Sequence, residues 1–127
     1  MRRPARAGAA LVAWLGASCA GPEAAVADPD WRGAPVHVRH LGDRGVEVEF
    51  VAPTAGHEFA LREVVRRGAR ADLVFAHAPP TADLVAQVVT PLRVAVAPER
   101  LGDAAVVAVV IREGERSAIA VLAARPR

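Results

Sequence analysis

From Val36 to Ala124 the chain runs in short segments whose apolar and polar positions mostly alternate with period two, as on the opposite faces of a pleated strand. In residues 35–41, Val36 and Val38 share one face, with His40 able to join them, and His37 and Arg39 take the other. In residues 46–51 (VEVEFV), Val46, Val48 and Phe50 point inward and Glu47 and Glu49 outward. Gly42-Asp43-Arg44-Gly45 between them is a turn, so the two segments predict an antiparallel hairpin with one wet face. His37 and Arg39 then stand across from Glu47 and Glu49, where exposed pairs contribute about 0–1 kcal/mol.

Residues 57–67 fit two periods. Leu61, Val64 and Val65 suit a helix, whereas Phe59 and Leu61 suit a strand. Arg67-Gly68-Ala69-Arg70 has the composition of a hairpin turn leading into residues 71–77, where Ala71, Leu73, Phe75 and His77 share a face. A strand is therefore preferred, with a helix over residues 58–67 as the alternative. Residues 78–98 (APPTADLVAQVVTPLRVAVAP) hold a proline-rich corner, an apolar run at 84–89, the interruption Thr90-Pro91 and a second run at 92–97. Because Pro91 cannot donate to a ladder, it belongs at an edge, a bulge or a crossing. The reading is one long strand, broken at Thr90-Pro91, that bends from one sheet to another; a plain hairpin or two unrelated strands is the alternative. Residues 99–103 form a loop. Residues 104–111 (AAVVAVVI) are a β-branched run that predicts a strand buried on both faces. Residues 117–124 alternate again after a turn at Glu113-Gly114-Glu115-Arg116.

Seven or eight short strands with Gly and Pro turns predict an all-β fold, an immunoglobulin-like antiparallel β-sandwich over residues 35–124, with an open β-barrel as the alternative. The disulfide and central tryptophan of antibody domains are missing. Residues 28–34 read as a flexible leader, in which Trp31 covers an open end of the core, and residues 125–127 as a short basic tail that frays.

The N-terminal 27 residues differ in kind. Three arginines precede an uncharged run at 7–20, about 21 Å as a helix and short of a bilayer core of roughly 30 Å. Ala25-Val26-Ala27 supplies the small residues of a cleavage site, so residues 1–27 read as a secretory signal peptide, with a retained membrane anchor as the alternative. Leu15-Gly16-Ala17-Ser18-Cys19 resembles a lipidation box, with the leucine four residues ahead of Cys19. Arg2-Arg3 hints at twin-arginine export. The whole chain carries a net charge of +2. Removal of residues 1–27 takes Arg2, Arg3, Arg6 and Glu23 and leaves thirteen charges of each sign. The basic excess is then a targeting feature and does not point to nucleic acid. The chain's one cysteine is Cys19, so a chain beginning at Asp28 has no disulfide, thiolate nucleophile or cysteine metal site.

A family likeness attaches to the central stretch. A proline, a short gap, Asp83, an apolar pair, Gln87, two apolars, Thr90 and a proline resemble the C-terminal domain of the PrcB-like family. Its members are secreted bacterial proteins named for a subunit that stabilises a protease complex. The family's upstream Thr-Gly-Gly-aromatic corner corresponds to Thr54-Ala55-Gly56-His57, with Ala and His replacing the first Gly and the aromatic residue, and Thr90 abuts Pro91 directly. The likeness spans about residues 51–97. It implies a protease or another envelope protein as partner.

Catalytic chemistry finds little support. Ser117 is the only serine after the leader and lacks a Gly-x-Ser-x-Gly elbow. Glu47 and Glu49 lie on a solvated face, and Glu113 and Glu115 flank a turn. None of His37, His40, His57 and His77 shows a familiar metal-ligand spacing, and His37 and His40 point to opposite faces. His57 opens one strand and His77 closes the next, so a hairpin would bring those two together. No catalytic residue, metal or cofactor is expected. The expected function is that of an exported, non-catalytic protein-binding or protease-stabilising accessory module. Its partner-binding residues are Pro79, Pro80, Thr81 and Asp83 on the proline loop, with Gly56 and His57 beside them. The expected location is periplasmic or extracellular, with contact to the membrane only through a lipid on Cys19. A lipid-anchored structural envelope protein is the alternative.

Overall fold

The computed structural model of the chain describes residues 25–27 and 31–126. Eight strands follow in order: β1 (Ala25–Ala27), β2 (Val36–His40), β3 (Val46–Ala52), β4 (Glu58–Arg67), β5 (Arg70–Ala78), β6 (Thr90–Val96), β7 (Val106–Glu113) and β8 (Arg116–Ala124). A one-turn helix, α1 (Pro98–Leu101), joins β6 to β7 and buries Leu101. The strands form two sheets, β2-β3-β6 and β4-β5-β7-β8, the latter extended at one edge by the short β1. The sheets pack face to face without closing into a barrel, an all-β sandwich.

Alternation decides which side chains fill the gap between the sheets. In β3 the burial pattern is strictly two-fold: Val46, Val48, Phe50 and Ala52 are buried, and Glu47, Glu49 and Val51 between them are only half-buried. The outward row carries the expected charge pairing. His37 stands opposite Glu49 and Arg39 opposite Glu47, Arg39 bonds Glu47 at 2.8 Å, and Arg93 bonds Glu49 at 2.9 Å. From the other sheet come Ala71, Leu73 and Phe75 of β5, Val107, Val109 and Ile111 of β7, and Val121 and Ala123 of β8. Val107, Ala108 and Val109 are all fully buried, as an uninterrupted apolar run in mid-sheet requires. Trp31 packs on this core and donates its indole N–H to Ala34 O at 2.8 Å. Residues 58–67 are strand, not helix, and pair with β5 through the turn at Gly68.

Three expectations change. First, the sheet is mixed. β5 and β7 run parallel, Arg70 opposite Val106 through Ala76 opposite Arg112. A parallel pair needs a long crossover, and here the chain leaves for the other sheet, forms β6, and returns through α1 before β7 begins. Second, residues 84–89 are not the first half of a long strand. The β3/β6 ladder ends where Ala52 meets Thr90, and the residue that follows β3 is Pro53, which has no N–H to continue it. Pro91 itself is tolerated on β6, an edge strand. Third, the tail starts later than residue 125. Arg125 donates its amide to Ala105 O at 2.8 Å, and its guanidinium to Gly102 O and Ala104 O at 2.9 Å each. Ala27, the expected end of the signal peptide, is the last residue of β1, in which Ala25–Ala27 stand opposite Ala123, Leu122 and Val121. Cys19 and the rest of residues 1–24 lie outside the described residues.

Candidate docking face

Two features meet at the end of the sandwich where β3 turns into β4. The first is the corner itself. Gly56 has φ of +91°, a conformation that L side chains resist. A Cβ there would also stand 3.0 Å from Pro80 Cβ and 3.8 Å from Val85 Cγ1. One residue earlier, the Ala55 amide donates to Ala86 O at 3.1 Å. The corner therefore holds the long loop between β5 and β6 at two points, near Pro80 and at residues 85–86.

Between and beyond those anchors Leu84, Val88 and Val89 turn outward. Leu84 is 92% exposed, Val88 60% and Val89 64%. Water-facing apolar surface is unfavourable by about 25 cal/mol per Å² relative to burial, and these are the three most exposed large apolar side chains among the described residues. Thr90 stiffens its end by donating its hydroxyl to Val88 O at 2.8 Å. Of the residues expected at the site, Gly56, His57 and Pro80 come together here. Pro79, Thr81 and Asp83 are exposed along the same loop.

The second feature is a chain of polar side chains behind the corner. His57, just ahead of β4, and His77, near the end of β5, lie as the hairpin register requires, with His57 Nδ1 2.9 Å from His77 Nε2. Their rings are nearly coplanar at 9°, and the 5.1 Å centroid separation is that of two rings laid end to end about one hydrogen bond. The outer nitrogens are also engaged: His77 Nδ1 with Glu113 Oε2, and His57 Nε2 with Thr54 Oγ1 at 3.1 Å. Phe50 lies 4.5 Å from His77, centroid to centroid, and continues the contact through Phe59 to Phe75. The chain's three phenylalanines thus form one column with the histidine pair at its end.

A groove of about 420 Å³ opens beside the pair, between Pro35, Phe50, Val51, Pro53 and Val89, with Arg32 and Glu113 at its polar side. Val89 belongs to both groove and exposed patch, so the two are continuous. The 2.9 Å between His57 Nδ1 and His77 Nε2 is a hydrogen-bond distance. Among the described residues no group of three or more His, Cys, Asp or Glu is placed to share a metal.

Thr54 and Glu113 escaped sequence reasoning. Glu113 reaches His77 only because β7 lies parallel to β5, with Ala76 opposite Arg112. Thr54 was legible as a corner residue, three positions before His57, without its bond being foreseeable. Searches against protein-family models, curated proteins and solved structures found no match to this chain.

Proposed function

We propose that this chain is an exported, non-catalytic accessory module that binds another envelope or secreted protein through the loop at residues 79–89. The observation that carries the reading is the exposure of Leu84, Val88 and Val89 on a loop anchored at its other side by Gly56 and Ala55. Anchoring and proline lower the entropy lost on docking. A protease is the partner that the likeness to PrcB-like proteins favours. The test is the double substitution Leu84→Ser and Val88→Ser. Neither side chain supports the core, so the melting temperature stays within about 2 °C while the cross-linked partner complex is lost. Retention of that complex at full yield overturns the reading.

A lipid anchor at Cys19 is the second reading of how the module is held, and the pairing of Ala25–Ala27 with β8 supports it. Processing at Cys19 keeps β1, whereas processing after Ala27 removes it. The mass of the mature N-terminus separates the two: diacylated cysteine supports the anchor, and a first residue of Asp28 rejects it. Among the described residues no helix is long and apolar enough to cross a membrane.

A further inference from the structure

The hydrogen atoms along Glu113, His77, His57 and Thr54 can be assigned one after another. An ionised carboxylate only accepts, so His77 carries its hydrogen on Nδ1. A neutral imidazole has one N–H, so His77 Nε2 is an acceptor and His57 Nδ1 must be the donor to it. His57 Nε2 is then an acceptor in turn, and the Thr54 hydroxyl, which also has Ala55 O in reach at 3.3 Å, turns its one hydrogen to the ring. Every link points the same way, toward Glu113.

One added proton reverses the two links nearer Thr54 without breaking any, and leaves His77 donating to Glu113. On His77 the proton makes Nε2–H a donor, His57 Nδ1 the acceptor and His57 Nε2–H a donor to Thr54. The positive imidazolium stays beside the Glu113 carboxylate. Thr54 Oγ1 now accepts from His57, and its one hydrogen turns wholly to its other acceptor in reach, the carbonyl of Ala55. Ala55 is the residue whose amide holds the docking loop at Ala86. Arg32, from the leader, is the other charged group on the groove beside the relay.

We infer that Glu113, His77, His57 and Thr54 form a one-proton relay whose reversal at Thr54 resets the corner that holds the docking loop. Proton uptake moves the four-residue unit from a charge of −1 to zero and changes the corner's internal bonding. This regulation rests on the docking reading for its purpose, but the relay itself is tested without a partner. Imidazole side chains ordinarily titrate between about pH 5 and 8, which sets the range to scan by NMR on the intact chain. Near pH 8 both imidazole ¹⁵N patterns are those of Nδ1–H tautomers. On acidification the Ala55 carbonyl ¹³C shift moves together with the two imidazoles. In Thr54→Val the Ala55 carbonyl no longer follows the imidazoles. In Glu113→Gln, where the carboxamide can donate as well as accept, the Nδ1–H preference of His77 is lost. An Nε2–H tautomer in either ring near pH 8, or an Ala55 carbonyl that stays flat across the range, overturns the relay whatever the fate of the docking reading.

Discussion

Asp72 is the one charged residue among the described ones that the core buries, and its two carboxylate oxygens are both taken. Arg67 Nε bonds Oδ2 at 2.7 Å, while Arg70 bonds Oδ1 at 2.7 Å through Nε and Oδ2 at 3.2 Å through Nη2. The arginines flank the β4–β5 turn, so the clamp closes that hairpin. Hydrogen bonds to charged groups contribute about 1.5–3 kcal/mol, and both arginines are partly wet. Asp72→Asn should therefore cost about 1–3 kcal/mol, a drop of several degrees in a thermal melt. Gly45 predicts a larger loss. Its φ is +94°, and a Cβ would lie 2.0 Å from the backbone oxygen of Val96, so Gly45→Ala should cost about 2 kcal/mol or more, read in the same melt. Asp103 offers a test by pH. The hydrogen bond from Arg66, then one from its own backbone, then the charge of Arg66 hold its carboxyl below the ordinary carboxylate range. Its contribution to stability is complete above the unfolded-state value and is lost as pH falls through the lower folded-state value. An NMR titration should find the depressed midpoint, and Arg66→Ala should raise it.

Among the elements, the loop between β5 and β6 and the order of the large sheet decide the account. Replacing Pro79 and Pro80 by Ala should weaken partner capture by loosening the contact with Gly56, with the melting temperature nearly unchanged; unaltered capture would count against the loop. The hairpins β2–β3, β4–β5 and β7–β8 were legible because each couples two strand-like runs through a short glycine turn. The β5/β7 pairing was not, because nothing in either run specifies a neighbour reached across a crossover. The same gap hid Glu113. Residues 84–89 misled for a related reason: alternation of Leu84, Ala86 and Val88 with Val85, Gln87 and Val89 describes a strand, but a strand also needs a partner, and Pro53 ends the one available. Their exposure is what turned a core-like pattern into a surface. The approach of Gly56 to Pro80 was not legible from composition, and Gly56 and His57 entered the sequence reading through the family likeness.

At the scale of the molecule, the sandwich sets its two kinds of surface apart. The outer face of the three-stranded sheet is a lattice of compensated charge in which Arg39, Glu47, Glu49 and Arg93 pair across strands. Exposed pairs of this kind contribute little to stability. The end of the sandwich that carries residues 79–89 presents unpaired apolar side chains beside a groove, with the histidine pair behind the corner. Binding energy concentrates where large apolar groups lose water, and that end is where this chain offers them. The most direct test is a photo-reactive side chain placed at position 84 in intact cells, with one at position 39, on the charged face, as the control. The account predicts one discrete cross-linked adduct at position 84 and none at position 39. No adduct at 84, or the same adduct from both positions, would contradict it.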